Sequence, residues 1–276
     1  MPVNDLVKKV STGIQLVAGL CLLSVGTAGY ANTPLDAQSI VNKSNLVAFY
    51  PGQDGRGSVK MLIVDERGKK QRRQFSMVRR NASEPGEFGG EQQFFVKFSR
   101  PRDIKNTTFR VEKHIDQDDD RWLYLPALDL VKRISAGDKR TSFMGTHLFY
   151  EDLTGRSPKE DVHVILEDGK SFYKIKSTPK EPKQVEFTHY HVWVDKKTFM
   201  PTKFEYFDNT NQVYRTIENV KFENIEGYVT VTNQKVSDLR NGGYTLIKFQ
   251  DIDYDVGVPS AVFSEKSLRS PSVKWF

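Results

Sequence analysis

The sequence predicts a mainly β protein, built as an antiparallel meander behind one opening helix. Three observations carry that reading. From about residue 58 onward, apolar and polar residues alternate in short runs rich in Val, Ile, Thr, Tyr and Phe. Turn signals separate the runs, at Arg67-Gly68, Asp168-Gly169, Asp208-Asn209, Glu226-Gly227 and Asn241-Gly242-Gly243. A looser, helical spacing of apolar residues precedes them all.

In chain order, the first element is an export signal. Lys8 and Lys9 form a basic start, Gly13–Val25 is a short apolar run, and Thr27–Ala31 ends it with small residues. Cleavage after Ala31 is expected, leaving a mature chain from Asn32 in the periplasm and one domain over 32–276. The apolar run is too short to span a bilayer comfortably. The single cysteine, Cys21, lies inside it behind Leu20, without the small residue that a lipidation motif needs. A mature chain from Asn32 therefore carries no disulfide, catalytic thiol or zinc-thiolate site.

Next, Asp36 can cap a helix in which Ile40, Val41, Ser44, Leu46, Val47 and Phe49 recur at helical spacing. Pro51-Gly52 and Gly55-Arg56-Gly57 end it. The expected strands are Ser58–Asp65, Lys70–Arg79, Gln92–Ser99, Thr107–Lys113, Arg121–Leu125 and Leu130–Ile134. They continue with Val162–Leu166, Ser171–Ser177, Glu186–Val194, Thr202–Asp208, Val213–Phe222, Tyr228–Asp238 and Tyr244–Tyr254. One stretch breaks the alternation. Gly137–Arg156 is long for a hairpin loop and rich in aromatics, and reads as a lid with helical turns over one sheet face.

Composition excludes several classes. The 276 residues carry 41 Lys+Arg against 35 Asp+Glu, a net charge of +6, with no series of long apolar spans for a polytopic membrane protein. Eighteen Phe, 11 Tyr and 3 Trp supply too much apolar surface for a disordered chain. No nucleotide-binding loop, nucleophile elbow or zinc-protease motif occurs, so no catalytic residue, cofactor or metal is expected. His189 and His191 share one strand face and could be paired ligands, but no third ligand accompanies them. Asp116, Asp118 and Asp120 begin like a calcium loop, yet Arg121 stands where glycine is required, so they read as an acidic hairpin tip. The basic run Arg67, Lys69, Lys70, Arg72, Arg73, Arg79, Arg80 has charges at both parities and reads as a solvated strand. Nucleic acid is not an expected partner. The terminal Phe276 could mark an outer-membrane barrel, but Pro271, Ser272 and Lys274 break the pattern.

Several spaced segments resemble a known family. They are Arg121–Leu128, Val131–Ile134, Ser142–Gly145, Tyr150–Leu153, Trp193–Lys196, Met200-Pro201, Tyr206–Asp208, and Asp251–Gly257 followed by Phe263. Together they resemble the outer membrane lipoprotein-sorting branch of the LolA-like superfamily, from about Gly57 to Leu268. The resemblance implies an unclosed, strongly curved antiparallel sheet, a half-barrel with helices over an apolar cavity that holds acyl chains. It further implies a non-enzymatic carrier of lipid or lipoprotein, working with an inner-membrane exporter of the resistance-nodulation-division type or an outer-membrane acceptor. A RseB-like lipoprotein sensor or protein-interaction module is the alternative.

Acyl chains need a dry cleft, so the candidate lining residues are large and apolar. In the lid these are Phe143, Met144, Leu148 and Phe149. On strands they are Trp122, Tyr124, Trp193, Phe204 and Tyr206. For each, ordinary core packing is the competing reading, and the sequence leaves open which sheet face is concave.

Overall fold

Asp36 starts the fold: its carboxylate accepts a hydrogen bond from the Ser39 amide at 2.7 Å and caps α1 (Ala37–Phe49). The computed structural model describes residues 35–276. The export signal and its cleavage point lie outside them. Leu35–Phe276 forms one compact unit, and no helix among the described residues is long and apolar enough to cross a membrane.

Thirteen strands follow: β1 (Asp54–Val64), β2 (Lys70–Asn81), β3 (Gln92–Arg100), β4 (Thr108–Lys113), β5 (Asp120–Leu125), β6 (Leu130–Ile134) and β7 (Asp161–Asp168), then β8 (Phe172–Pro179), β9 (His189–Asp195), β10 (Pro201–Phe207), β11 (Val213–Ile225), β12 (Tyr228–Asp238) and β13 (Tyr244–Tyr254). Each is an expected strand, with boundaries shifted by a few residues. The largest shift is at β1, which begins at Asp54 and so includes Gly55-Arg56-Gly57, expected to be a breaker.

The strands form one antiparallel sheet in the order β6-β5-β4-β3-β2-β1-β13-β12-β11-β10-β9-β8-β7. A sheet with more than about ten twisted strands curls rather than staying flat. This one stays unclosed, because its edge strands β6 and β7 do not pair. Those two edges are consecutive in the chain, so residues 135–160 must cross the open side of the curl to join them. That topological demand explains the long irregular stretch. It holds 3-10 turns at Ala136–Asp138 and Glu151–Leu153 around a single bridge between Ser142 and Phe149. No α-helix forms there, so the helical part of the expected lid is reduced to these short turns.

Two cores sit on opposite faces. The inner core gathers Ile40 of α1, inward residues such as Val59, Phe75 and Phe98, and Phe143 and Leu148 of the crossing segment. Phe143 is 0% exposed and packs against Phe75, Phe98, Phe109 and Tyr150, with ring centroids 5.4–6.2 Å away. The outer core lies under the C-terminal segment. Val78 and Phe95 of opposite parity meet Val258, Phe263, Leu268 and Trp275. Asp54 launches that segment by accepting from the Val256 and Val258 amides at 2.9 and 3.0 Å. The end of α2 (Glu265–Arg269) is tied down where Leu268 O accepts from Thr108 Oγ1 at 2.7 Å.

Candidate functional site: an apolar cavity between helix and sheet

A cavity of about 310 Å³ lies between α1, the crossing segment and the inner face of the sheet. Its origin is visible in β1. Val59 and Met61 fill the inner face with side chains, but the two preceding inward positions are Gly57 and Gly55. The Tyr254 ring packs over Gly55, while the side chain missing at Gly57 leaves room above the strand. Val41 and Ala48 of α1 roof the hollow, and Phe75, Met77, Val192 and Phe249 are among its walls. Hydrocarbon makes up most of these surfaces, and polar groups including Arg79, Tyr254, Thr230, Arg156 and Asn219 interrupt it.

Of the nine sequence-predicted residues, Leu148, Phe204 and Tyr206 line this cavity. Phe143 is in the inner core, and Met144, with a left-handed φ of 50°, packs partly buried against that core. Phe149 is held between two guanidinium groups, Arg140 at 5.0 Å and Arg215 at 4.2 Å. Trp122 and Tyr124 face the other way and pack in the outer core, where Arg110 stacks on Trp122 at 4.4 Å. Trp193 also points outward, flanked by Lys174 at 4.7 Å and Lys203 at 5.2 Å. Shared parity within a strand thus grouped Trp122 with Tyr124, but parity alone carries no sign for the concave face.

A buried ionic network holds the crossing segment beside the cavity. Glu151, 4% exposed, pairs with Arg140, with Arg156 at 3.4 Å and with Lys139 at 3.6 Å. Arg156 also grips Asp161 of β7 at 2.9 Å, and Arg140 grips Glu186 at 2.7 Å. Arg215 of β11 pairs with Asp152. Burial pushes the Glu151 carboxyl up, but the three cations outweigh it and hold the group below the usual carboxylate range. Tyr190 and Tyr214 donate to Asp161 and Glu186 at 2.9 and 2.8 Å, extending the network onto β9 and β11.

Two other clusters lie apart. Glu112, His114 and Asp120 bring ligand atoms within 4.8 Å of one another, but Arg110 already pairs with Glu112 and Arg133 with Asp120. His189 and His191 lie on the outer face, with His189 stacked on Phe207 at 4.4 Å. Burial first, then Lys174, lowers the His191 pKa to about 4, so its imidazole is neutral at neutral pH.

The cavity-forming residues that sequence reasoning missed are Gly55, Gly57 and Arg79. The signal was present: glycines two apart in a strand remove side chains from one face only. Arg79 was grouped with a solvated basic run, yet its position on β2 matches the inward parity of Phe75 and Met77.

A family model described as "Uncharacterized protein" matches residues 90–270. Among solved structures, the chain is similar to a DUF1329 family protein from Desulfovibrio piger, with 28% identity over 84% of this chain and 97% of that one, TM-score 0.76. It is similar to an outer membrane lipoprotein-sorting protein domain from Vibrio parahaemolyticus, at 23% identity over 84% and 98%, TM-score 0.76. A LolA superfamily protein from Nitrosomonas europaea shares the fold at 16% identity over 84% and 99%, TM-score 0.65. No curated protein matches the chain in sequence.

Proposed function

This chain belongs to the family whose model spans residues 90–270 and shares its fold with a LolA superfamily structure, and on that premise we propose that it is a periplasmic carrier of acyl chains. The observation that carries the reading is the hollow beside Gly57, walled mostly by hydrocarbon and roofed by α1. Well-packed interiors leave few voids, and a large apolar one is a binding site by default. Each methylene moved into it from water contributes roughly 0.8 kcal/mol, so a dozen give on the order of 10 kcal/mol before ordering costs. Such a carrier needs no catalytic group or cofactor.

Release requires that something move, and the crossing segment is the candidate lid. Its anchors are non-covalent, the ion pairs of Arg140 and Arg215 and the packing of Phe143 in the inner core, and sequestering segments of this kind open as units. The cargo is the acyl part of a lipid or lipoprotein. The donor or acceptor is an inner-membrane exporter of the resistance-nodulation-division type or an outer-membrane acceptor. The lipoprotein-sorting fold and the expected export signal support this direction of traffic.

The test is titration of the mature protein with a fluorescent fatty-acyl probe. Saturable binding of one probe per chain, displaced by unlabelled fatty acid, is expected. Absence of saturable binding refutes the carrier reading.

A further inference from the structure

Arg79 stands out among the cations around the cavity. Its neighbours on the wall are paired with acids: Arg56 with Asp253 at 2.8 Å, and Arg156 with Asp161 at 2.9 Å. Arg79 is only 7% exposed, yet its hydrogen bonds go to neutral oxygens. They are Asn81 Oδ1 at 2.8 Å, Gly52 O at 3.3 Å and Pro51 O. Its Nε makes no hydrogen bond among the described residues. The nearby carboxylates are engaged elsewhere. Asp54 accepts from the Val256 and Val258 amides, and Asp255 from the Gln53 amide at 2.6 Å and the Tyr228 hydroxyl at 2.9 Å. A buried guanidinium without an acid partner is costly, and a fold that keeps one at a cavity wall has left a place for an anion.

The surroundings fit that reading. Across the sheet, Arg79 pairs with Gly55 on one side and Phe94 on the other, and Gly55 pairs in turn with Tyr254. Gly55 carries no side chain, and the Tyr254 ring packs over it, 3.0 Å from where a Cβ would stand, which brings Tyr254 close beside Arg79. Tyr254 and Thr230, whose hydroxyls are 2.9 Å apart, also line the cavity. This polar group sits beyond the end of α1, while the Phe75, Met77 and Val59 wall continues away from it as hydrocarbon. Arg79 is thus a cation free of an acid partner on a lining that is mostly hydrocarbon and whose other cations are paired.

We infer that the cavity takes an anionic amphiphile, with its carboxylate or phosphate on the Arg79 guanidinium and its hydrocarbon along the inner face. The inference rests on the carrier reading and specifies its cargo. Guanidinium forks bind both anions, and charge-assisted bonds of this kind are about twice as strong as neutral ones.

The test compares dodecanoate, dodecyl phosphate and dodecanol, below their aggregation limits and at about pH 8, where the acid is ionised. Calorimetric titration of the mature protein should show at least one anion binding about tenfold or more tightly than the alcohol. The ranking of the two anions identifies the head group. Arg79→Gln should abolish the anion preference, bringing both anions to within about twofold of dodecanol measured in the same variant, and Arg79→Lys should restore part of it. Equal affinity of wild type for all three ligands overturns the head-group assignment and leaves the carrier reading standing. So does an equal loss for all three in Arg79→Gln. If none of the three binds, both readings fall. Should Arg79→Gln not fold, as judged by its thermal melt, the wild-type ranking and Arg79→Lys decide the matter.

Discussion

Filling the hollow from its floor separates binding from folding. Gly57 faces the cavity, and a Cβ placed there would meet Gln250 O and Ile252 Cγ1, each at 3.4 Å, an ordinary contact distance. Gly55 is less suitable, because its Cβ would approach Tyr254 Cδ1 at 3.0 Å and Asp253 O at 3.1 Å. Gly57→Leu should therefore project its branched end into the cavity without displacing backbone. It replaces a strand glycine, which is unfavourable by roughly 0.5–1 kcal/mol relative to alanine, so stability should hold or rise slightly. The added side chain occupies the space of about three cargo methylenes. At roughly 0.8 kcal/mol each, the loss is ~2.4 kcal/mol, on the order of fiftyfold in affinity. Probe titration reads the affinity and urea unfolding reads the stability. A variant as stable as wild type that binds the probe with unchanged affinity refutes the placement of cargo over β1.

Four further outcomes follow from the packing. Phe143→Ala, which empties the centre of the aromatic cluster, should lose ~3–5 kcal/mol in urea unfolding, because Phe143 is core. Phe204→Ala should weaken probe binding severalfold while Trp193→Ala leaves it unchanged, since the first residue lines the cavity and the second faces outward. Glu151→Gln leaves buried Arg140 and Arg156 short of a charge partner, which costs on the order of 3 kcal/mol; faster hydrogen exchange over residues 139–156 and faster probe release should report the loosened segment. For pH dependence, burial raises Glu151 and Glu186, but cations and hydrogen bonds, Arg140 foremost, hold both below the usual carboxylate range. Such groups contribute stability in full above the unfolded value of about 4.3 and lose it as pH falls through their lower folded values, so segment protection should persist at neutral pH and fail in acid.

The helix and the strands were legible because local signals agreed with tertiary structure. Asp36 is both the best cap in its region and the observed cap, and every strand expected from alternation formed. What stayed hidden was sign and distance. Alternation paired Trp122 with Tyr124 and Phe204 with Tyr206, but only the curl turned the second pair toward the cavity and the first toward the C-terminal segment. Gly55-Arg56-Gly57 looked like a breaker because glycine disfavours strands in isolation. Here its neighbours β2 and β13 supply the pairing, and the side chain missing at Gly57 leaves the hollow. Arg79 looked solvated because six like charges precede or follow it, and its burial depends on Pro51 and Gly52, brought in by the turn after α1.

Native mass spectrometry of the protein released from the periplasm, followed by organic extraction and identification of whatever leaves with it, tests the carrier account most directly. A population carrying one anionic acyl amphiphile per chain, lost on solvent extraction and absent or depleted in Gly57→Leu, is expected. A wild-type protein recovered wholly at its bare polypeptide mass, and unable to take up added fatty acid, would contradict it.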